Sequence, residues 1–272
     1  MTPVEGSDSN RGERESRPSN DEQRKPEAPR EGGRIGIYTA ARVERGRVTR
    51  AERHAGRLRR DADRLNLELP ARGEIERLLI DTALEAFGSA NGVVRIEWSG
   101  AAGERPTLRA RSRTLGVDSD RWRARIARTP HPGPEARRNT KQVAVTAYDL
   151  AREESAEAGV DEVLLFGSDG HLVEGGRSNL LVVTANGHLV TPDLSLGPVE
   201  GLGLEIVRES TPMLAPGRLD REAVRAAREL IAVNAVRGVV PIVELDGEPV
   251  GEGMPGPWAR RLQACFFVSR AR

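Results

Sequence analysis

Two hydrophobic rhythms alternate along the chain, apolar positions recurring every second residue or every third to fourth, and the switches between them mark its elements. "RIGIYTAARVERGRV" (34–48) alternates and breaks at Glu44–Gly46, which predicts two strands about a turn. "RAERHAGRLRRDADRLNL" follows, with His54, Leu58, Ala62 and Leu65 at helical spacing. "EIERLLIDTALEAFGS" predicts a second amphipathic helix ended by Gly88, and "NGVVRIEWSG" with "RPTLRARSR" predicts a strand pair. The pattern then fades over 114–121, a linker. Beyond it, "WRARIARTP" predicts a strand and "KQVAVTAYDLAREESAEAG" (141–159) a helix stopped by Gly159. "DEVLLFGSDGHLVEGG" and "RSNLLVVTANGHLVTP" predict hairpins, the second closed at Asn186–Gly187, a dipeptide suited to a tight primed turn. A helix in "GLGLEIVRESTPML", then helix, strand, loop and strand over 220–250, then a helix in "GPWARRLQACFFVSR" complete the pattern. Helices and strands mix without a strict βαβ rhythm, so the expected class is α+β with two lobes. A small α/β domain would span 35–117 and a larger, β-rich domain 118–272.

Residues 1–34 stand apart. They carry charges of both signs with Pro, Gly and Ser, and no Leu, Ile or aromatic residue, so a disordered tail is expected. In the whole chain of 272 residues, Lys+Arg 42 nearly balances Asp+Glu 41. That balance argues against a general nucleic-acid binder. A single cysteine leaves no internal disulfide framework and no cysteine-based zinc site, and the four histidines lack metal-ligand spacing. With no long apolar stretch and no signal-peptide pattern, a cytoplasmic protein outside the membrane is expected.

The chemistry gathers at two residues. Glu174 opens the glycine-rich corner Glu174-Gly175-Gly176-Arg177-Ser178-Asn179. A buried carboxylate needs a partner, and the two glycines allow the backbone to approach something closely. Lys141, the only lysine between Pro130 and Gly159, precedes Glu174 by thirty-three residues.

Lys141, "GVDEVLLFGSDGHLVEGGRSNLLVV" and "GHLVTPDLSLGPVEGLGLEIVRE", together with "HAGRL" and "VNAVRGVVPI", resemble the class IV aminotransferase family in order and spacing. These are the fold-type IV pyridoxal 5′-phosphate (PLP) enzymes, which include branched-chain and D-amino-acid aminotransferases and aminodeoxychorismate lyase. The resemblance runs from about Tyr38 to the C-terminus. It implies that Lys141 bonds the PLP aldehyde and later shuttles a proton, while Glu174 faces the pyridine nitrogen. Arg57 would hold the phosphate with its planar fork, helped by the backbone N–H groups of Leu202 and Gly203 at a helix start. Ala235 and Val236 would form a second backbone cradle, and Ser178 and Asn179 would hydrogen-bond within the corner. Weaker substrate contacts fall on Tyr38, Thr39, Arg42 and Arg95. A homodimer acting on a small amino acid and a 2-oxo acid is implied.

The chain also departs from the family. Gly203 and Leu204 stand where Thr and Arg are usual, and Ala144 where many relatives carry Asn. Both bear on PLP affinity and keep a non-catalytic relative as an alternative. Thr39 replaces the Glu usual after the first-strand aromatic of branched-chain-type members, which keeps aminodeoxychorismate lyase beside aminotransferase.

Overall fold

The computed structural model describes residues 34–101, 106–117, 119–137 and 139–268; the expected tail, but for Arg34, lies outside them. The first half folds as β1 (Arg34–Glu44), β2 (Arg47–Val48), α1 (Ala51–Leu65), α2 (Arg72–Phe87), β3 (Gly92–Ala101) and β4 (Thr107–Thr114). Their strands form an antiparallel sheet in the order β2-β1-β3-β4. One face carries Ile37, Ala41, Val43, Val94 and Ile96 against Leu58, Ala62, Ile75 and Leu79 of the two helices. The alternation of β1 and the helical spacing of α1 thus meet in one core.

The second half contains β5 (Trp122–Ile126), α3 (Pro134–Arg137), α4 (Thr146–Ala158), β6 (Glu162–Phe166), β7 (Leu172–Gly175), β8 (Asn179–Val183) and β9 (Leu189–Pro192). There follow α5 (Leu202–Ser210), β10 (Ala215–Gly217), α6 (Arg221–Arg225), β11 (Glu229–Asn234), β12 (Gly238–Leu245), β13 (Glu248–Pro249) and α7 (Pro257–Val268). Among the described residues these strands make a mixed nine-stranded sheet, β10-β9-β8-β11-β12-β5-β6-β7, with β13 beside β12. In a flat sheet, β7 and β8 would lie five strand spacings apart, about 24 Å. The short corner between Gly175 and Asn179 cannot reach that far, so the sheet curls on itself. Successive residues of β8 then enter different cores: Leu180 and Val182 face Trp122, Phe166 and Leu230, while Leu181 and Val183 pack with Leu204, Ile206 and Leu262. Burial on both faces explains a strand that is apolar from Leu180 to Val183. No described helix is long and apolar enough to cross a membrane.

Two sequence expectations need correction. The helix expected from Lys141 begins only at Thr146, because residues 141–143 pair with β1: Tyr38 N–H donates to Lys141 O at 3.0 Å and Val143 N–H to Gly36 O at 2.9 Å. The loop at Asn186–Gly187 is longer than a primed two-residue turn. Val183 pairs with Leu189, and of the two residues only Gly187 has positive φ, at 83°. A type I′ turn needs positive φ at both.

Candidate active site

A cavity of about 750 Å³ opens between the two sheets. Tyr38, Arg57, Lys141, Glu174, Leu202 and Ala235 are among the side chains and backbone segments that line it. The volume suits a small-molecule or cofactor site.

Lys141 is held by its backbone. Besides the bonds to β1, its N–H donates to Asp61 Oδ2 at 3.0 Å. Its Nζ lies 4.9 Å from the centroid of the Tyr38 ring, and Arg95 stacks on that ring at 3.7 Å. Burial raises the Tyr38 phenol, but Lys141, Arg95 and Arg57 outweigh it and leave the group below its ordinary range. All but two of the 42 basic residues of the chain are arginine, and Lys141 is the only lysine among the described residues. A guanidinium stays protonated, so among the described residues only this side chain offers a lysine's amine for covalent chemistry.

Glu174 lies in β7, one residue before its end, and is buried. Oε2 accepts the Val199 N–H at 3.0 Å, and Oε1 accepts the hydroxyl of Tyr148. Gly133 N–H donates to His131 Nδ1 at 3.1 Å. That leaves the ring proton on Nε2, which lies 3.3 Å from Glu174 Oε1 and 3.1 Å from the Tyr148 hydroxyl. The acid therefore sits among hydrogen-bond donors on both of its oxygens. Behind it, Glu162 accepts the Ser178 hydroxyl and the Val163 N–H at 3.0 Å, and burial pushes its carboxyl upward.

Arg57 and Asp61 lie one turn apart on α1 and pair at 2.8 Å, both buried. Arg57 Nη2 donates to Tyr38 O at 2.7 Å. Burial raises the Asp61 carboxyl against the pull of Arg57 and the Lys141 N–H. The remaining donors of the Arg57 fork are available to an anion. Opposite stands the start of α5, whose N-cap, Gly201, supplies no side-chain cap. A Cβ on Gly201 would come within 2.1 Å of Asn179 Oδ1, and one on Gly203 within 2.9 Å of the Asn234 backbone. The bare helix N-terminus is thereby drawn close to the β11–β12 turn and can receive an anion.

The sequence-derived residues divide into three groups. Tyr38, Arg57, Arg95, Lys141, Glu174, Leu202, Gly203 and Ala235 line the cavity. Thr39, Ser178, Asn179 and Val236 also line it, but with polar groups engaged. Thr39 Oγ1 bonds His54 Nδ1 at 2.7 Å, Ser178 bonds Glu162, and Asn179 Nδ2 donates to Val199 O at 2.7 Å. Val236 N–H donates to Asn234 Oδ1 at 3.0 Å, so in the expected second cradle that donor is already taken. Arg42 is not among the residues lining the cavity; its guanidinium bonds Glu44 Oε1 at 2.8 Å and Val236 O at 3.1 Å. Sequence reading missed Asp61, His131, Tyr148 and the lining arginines 111, 113, 177 and 237. The Arg57–Asp61 spacing was a usable signal, whereas His131 and Tyr148 meet Glu174 only through the fold.

The residues fit a PLP-sized group: an amine, a donor-held carboxylate, a guanidinium and a bare helix N-terminus share one chamber. Known proteins agree in fold. The structure of Escherichia coli branched-chain amino acid aminotransferase superposes with a TM-score of 0.77 at 19% identity, covering 86% of this chain and 85% of that one. A candidate 4-amino-4-deoxychorismate lyase from Legionella pneumophila gives 0.74 at 18% identity, covering 87% and 91%. In sequence, a branched-chain-amino-acid aminotransferase of Pseudomonas aeruginosa is 29% identical over 121 residues, 43% of this chain and 39% of that protein. A branched-chain-amino-acid aminotransferase-like protein of Arabidopsis thaliana is 24% identical over 250 residues, 85% of this chain and 44% of that one. The aligned parts thus span less than half the length of these two relatives. Residues 36–245 match the sequence model of amino-transferase class IV, and the chain belongs to that family.

Proposed function

We propose that the chain is a PLP-dependent enzyme that moves an amino group between an amino acid and a 2-oxo acid. The observation carrying this reading is that its single described lysine lines the same cavity as a buried, donor-held carboxylate and a buried arginine. PLP, when bound, supplies the electron sink for bond breaking at the substrate's Cα. Lys141 would bond its aldehyde and carry the proton to and from that carbon, with Tyr38 beside the amine. Glu174, fixed by Val199, Tyr148 and His131, would hold the pyridine nitrogen. Arg57 and the N–H groups of Leu202 and Gly203 would hold the phosphate. Arg95, stacked on Tyr38 at the cavity wall, would meet the substrate. By family likeness the working unit is a homodimer.

The lyase reading stays second, because Thr39 lines the cavity where branched-chain-type relatives carry Glu. Both readings need the same lysine. PLP-supplemented protein is expected to develop a visible absorbance band that borohydride fixes, with mass spectrometry mapping the attachment to Lys141. Lys141→Ala should fold and lack both signals. Absence of the band in supplemented protein, or attachment elsewhere, would remove the proposal. Conversion to the pyridoxamine form by amino acids then supports transamination; aminobenzoate from aminodeoxychorismate without that conversion supports the lyase.

A further inference from the structure

Side chains from three separate segments meet on one carboxylate behind the cavity. His131 stands in the loop after β5, Tyr148 in the first turn of α4 and Glu174 in β7. The backbone fixes that loop before the imidazole takes part. His131 N–H donates to Phe166 O at 2.8 Å, and Glu154 of α4 accepts the N–H groups of Arg128 and Thr129 at 2.8 and 3.0 Å. The side chain of His131 is fully buried, and that of Glu174 nearly so. Tyr148 and Glu174 line the cavity, while His131 is not among its lining residues.

The direction of each hydrogen follows from Gly133. Its N–H donates to His131 Nδ1 at 3.1 Å, so that nitrogen carries no proton and the imidazole proton sits on Nε2. A doubly protonated ring would set two N–H groups against each other there. Nε2 lies 3.1 Å from the Tyr148 oxygen and 3.3 Å from Glu174 Oε1. Protonated, it can only donate, so the Tyr148 hydroxyl turns its own hydrogen to Oε1. Oε2 meanwhile accepts the Val199 N–H at 3.0 Å. Hydrogens thus converge on both oxygens of Glu174, in a buried setting where water competes little.

A proton shared between an acid and a pyridine nitrogen settles according to what else bonds the acid. An acid supplied with hydrogens on both oxygens leaves the proton on the nitrogen; an acid deprived of them takes it. We propose that His131 is a positioning residue that, acting through Tyr148 and Glu174, keeps this proton on the ring nitrogen of the cofactor. The inference rests on the reading of the cavity as a PLP site and concerns a side chain that does not reach the ring itself.

The tautomer of His131 can be measured first, in protein without PLP. With four histidines in the chain, 15N-histidine labelling gives few signals, and the one lost in His131→Gln belongs to His131. A protonated Nε2 and a bare Nδ1 are expected; the opposite tautomer or a doubly protonated ring overturns the proposal. PLP carrying the same isotope at its ring nitrogen is then bound to the unsubstituted protein and to variants. Tyr148→Phe keeps the aromatic ring and removes the hydroxyl, His131→Leu removes the donor, and His131→Gln keeps an N–H. In Tyr148→Phe and His131→Leu the ring-nitrogen signal should move toward its unprotonated position, and PLP affinity should fall about ten-fold. With an amino acid donor, kcat should fall in both while KM changes little. His131→Gln should restore most of each effect. Loss of packing alone would weaken PLP binding without moving the nitrogen signal. An unmoved signal in both variants therefore overturns the proposal, while PLP uptake by the unsubstituted protein leaves the reading of the cavity standing. If that protein takes up no PLP, the reading of the cavity fails and this inference with it.

Discussion

At the scale of single residues, two side chains show how burial and backbone set behaviour. His54 is fully buried, and desolvation, helped by Arg57 and Arg50, lowers its pKa to about 3 from 6.5. The folded state therefore holds it neutral while the unfolded chain takes up a proton. Its stabilising contribution is complete above pH 6.5 and is lost as pH falls from 6.5 toward 3. Between pH 7.5 and 5 the loss should be about 2 kcal/mol for this one group. Urea denaturation at the two pH values should show the drop in the native chain and a smaller one in His54→Asn. Ala144 takes φ of 52°, the left-handed region, between Lys141 and the start of α4. A Cβ there is unfavourable by about 1–2 kcal/mol, and asparagine tolerates the region better. Ala144→Asn should raise thermal stability by about 1 kcal/mol; a lower Tm would refute the strain. The residue that replaces the family's Asn thus keeps an Asn-like backbone.

At the scale of elements, α1 serves three neighbours at once. Leu58, Ala62 and Leu65 enter the core, Arg57 lines the cavity with Asp61 paired to it, and Arg53, Arg60 and Arg64 reach acids near and on α5. Helical spacing permits this, since residues three, four or seven apart share a face. The start of α5 is similarly constrained. Gly203, the departure from the family's Thr, faces the Asn234 backbone so closely that a side chain there needs a shift of the β11–β12 turn. Gly203→Thr is accordingly expected to lower stability by about 1–3 kcal/mol through overpacking and to weaken PLP binding. Denaturation and a PLP titration measure the two effects, and an unchanged midpoint would contradict the close packing.

At the scale of the whole molecule, the site depends on two sheets meeting. We propose domains at 35–117 and 118–272, since the sheets share no strand among the described residues. Ion pairs cross between them: Arg53 with Glu209 at 2.8 Å, Arg60 with Glu205 at 2.9 Å, and Arg64 with Glu200. All are partly exposed, so each should contribute under about 1 kcal/mol. Replacing the three arginines with alanine is expected to destabilise the protein by about 1–2 kcal/mol at low salt. The difference should shrink near 1 M salt, where screening is strong over about 3 Å. A salt-independent loss would point to packing by the arginine stems instead.

The sequence by itself determined most of what local pattern can encode. Periodicity marked the α1 and α2 helices and most strands, because burial on one face leaves a record every two or every three to four residues. Lys141, Glu174 and Arg57 were legible because their motifs keep order and spacing along the chain. Tertiary structure alone decided which of the many arginines face the cavity. Arg42 looked like a candidate yet bonds Glu44 and Val236, while Arg113, Arg177 and Arg237 converge from segments over sixty residues apart or nearly so. It also decided that His131 and Tyr148 stand behind Glu174. Strand register and sheet curl fix these meetings, and they arise from pairing between remote segments that no local rhythm records.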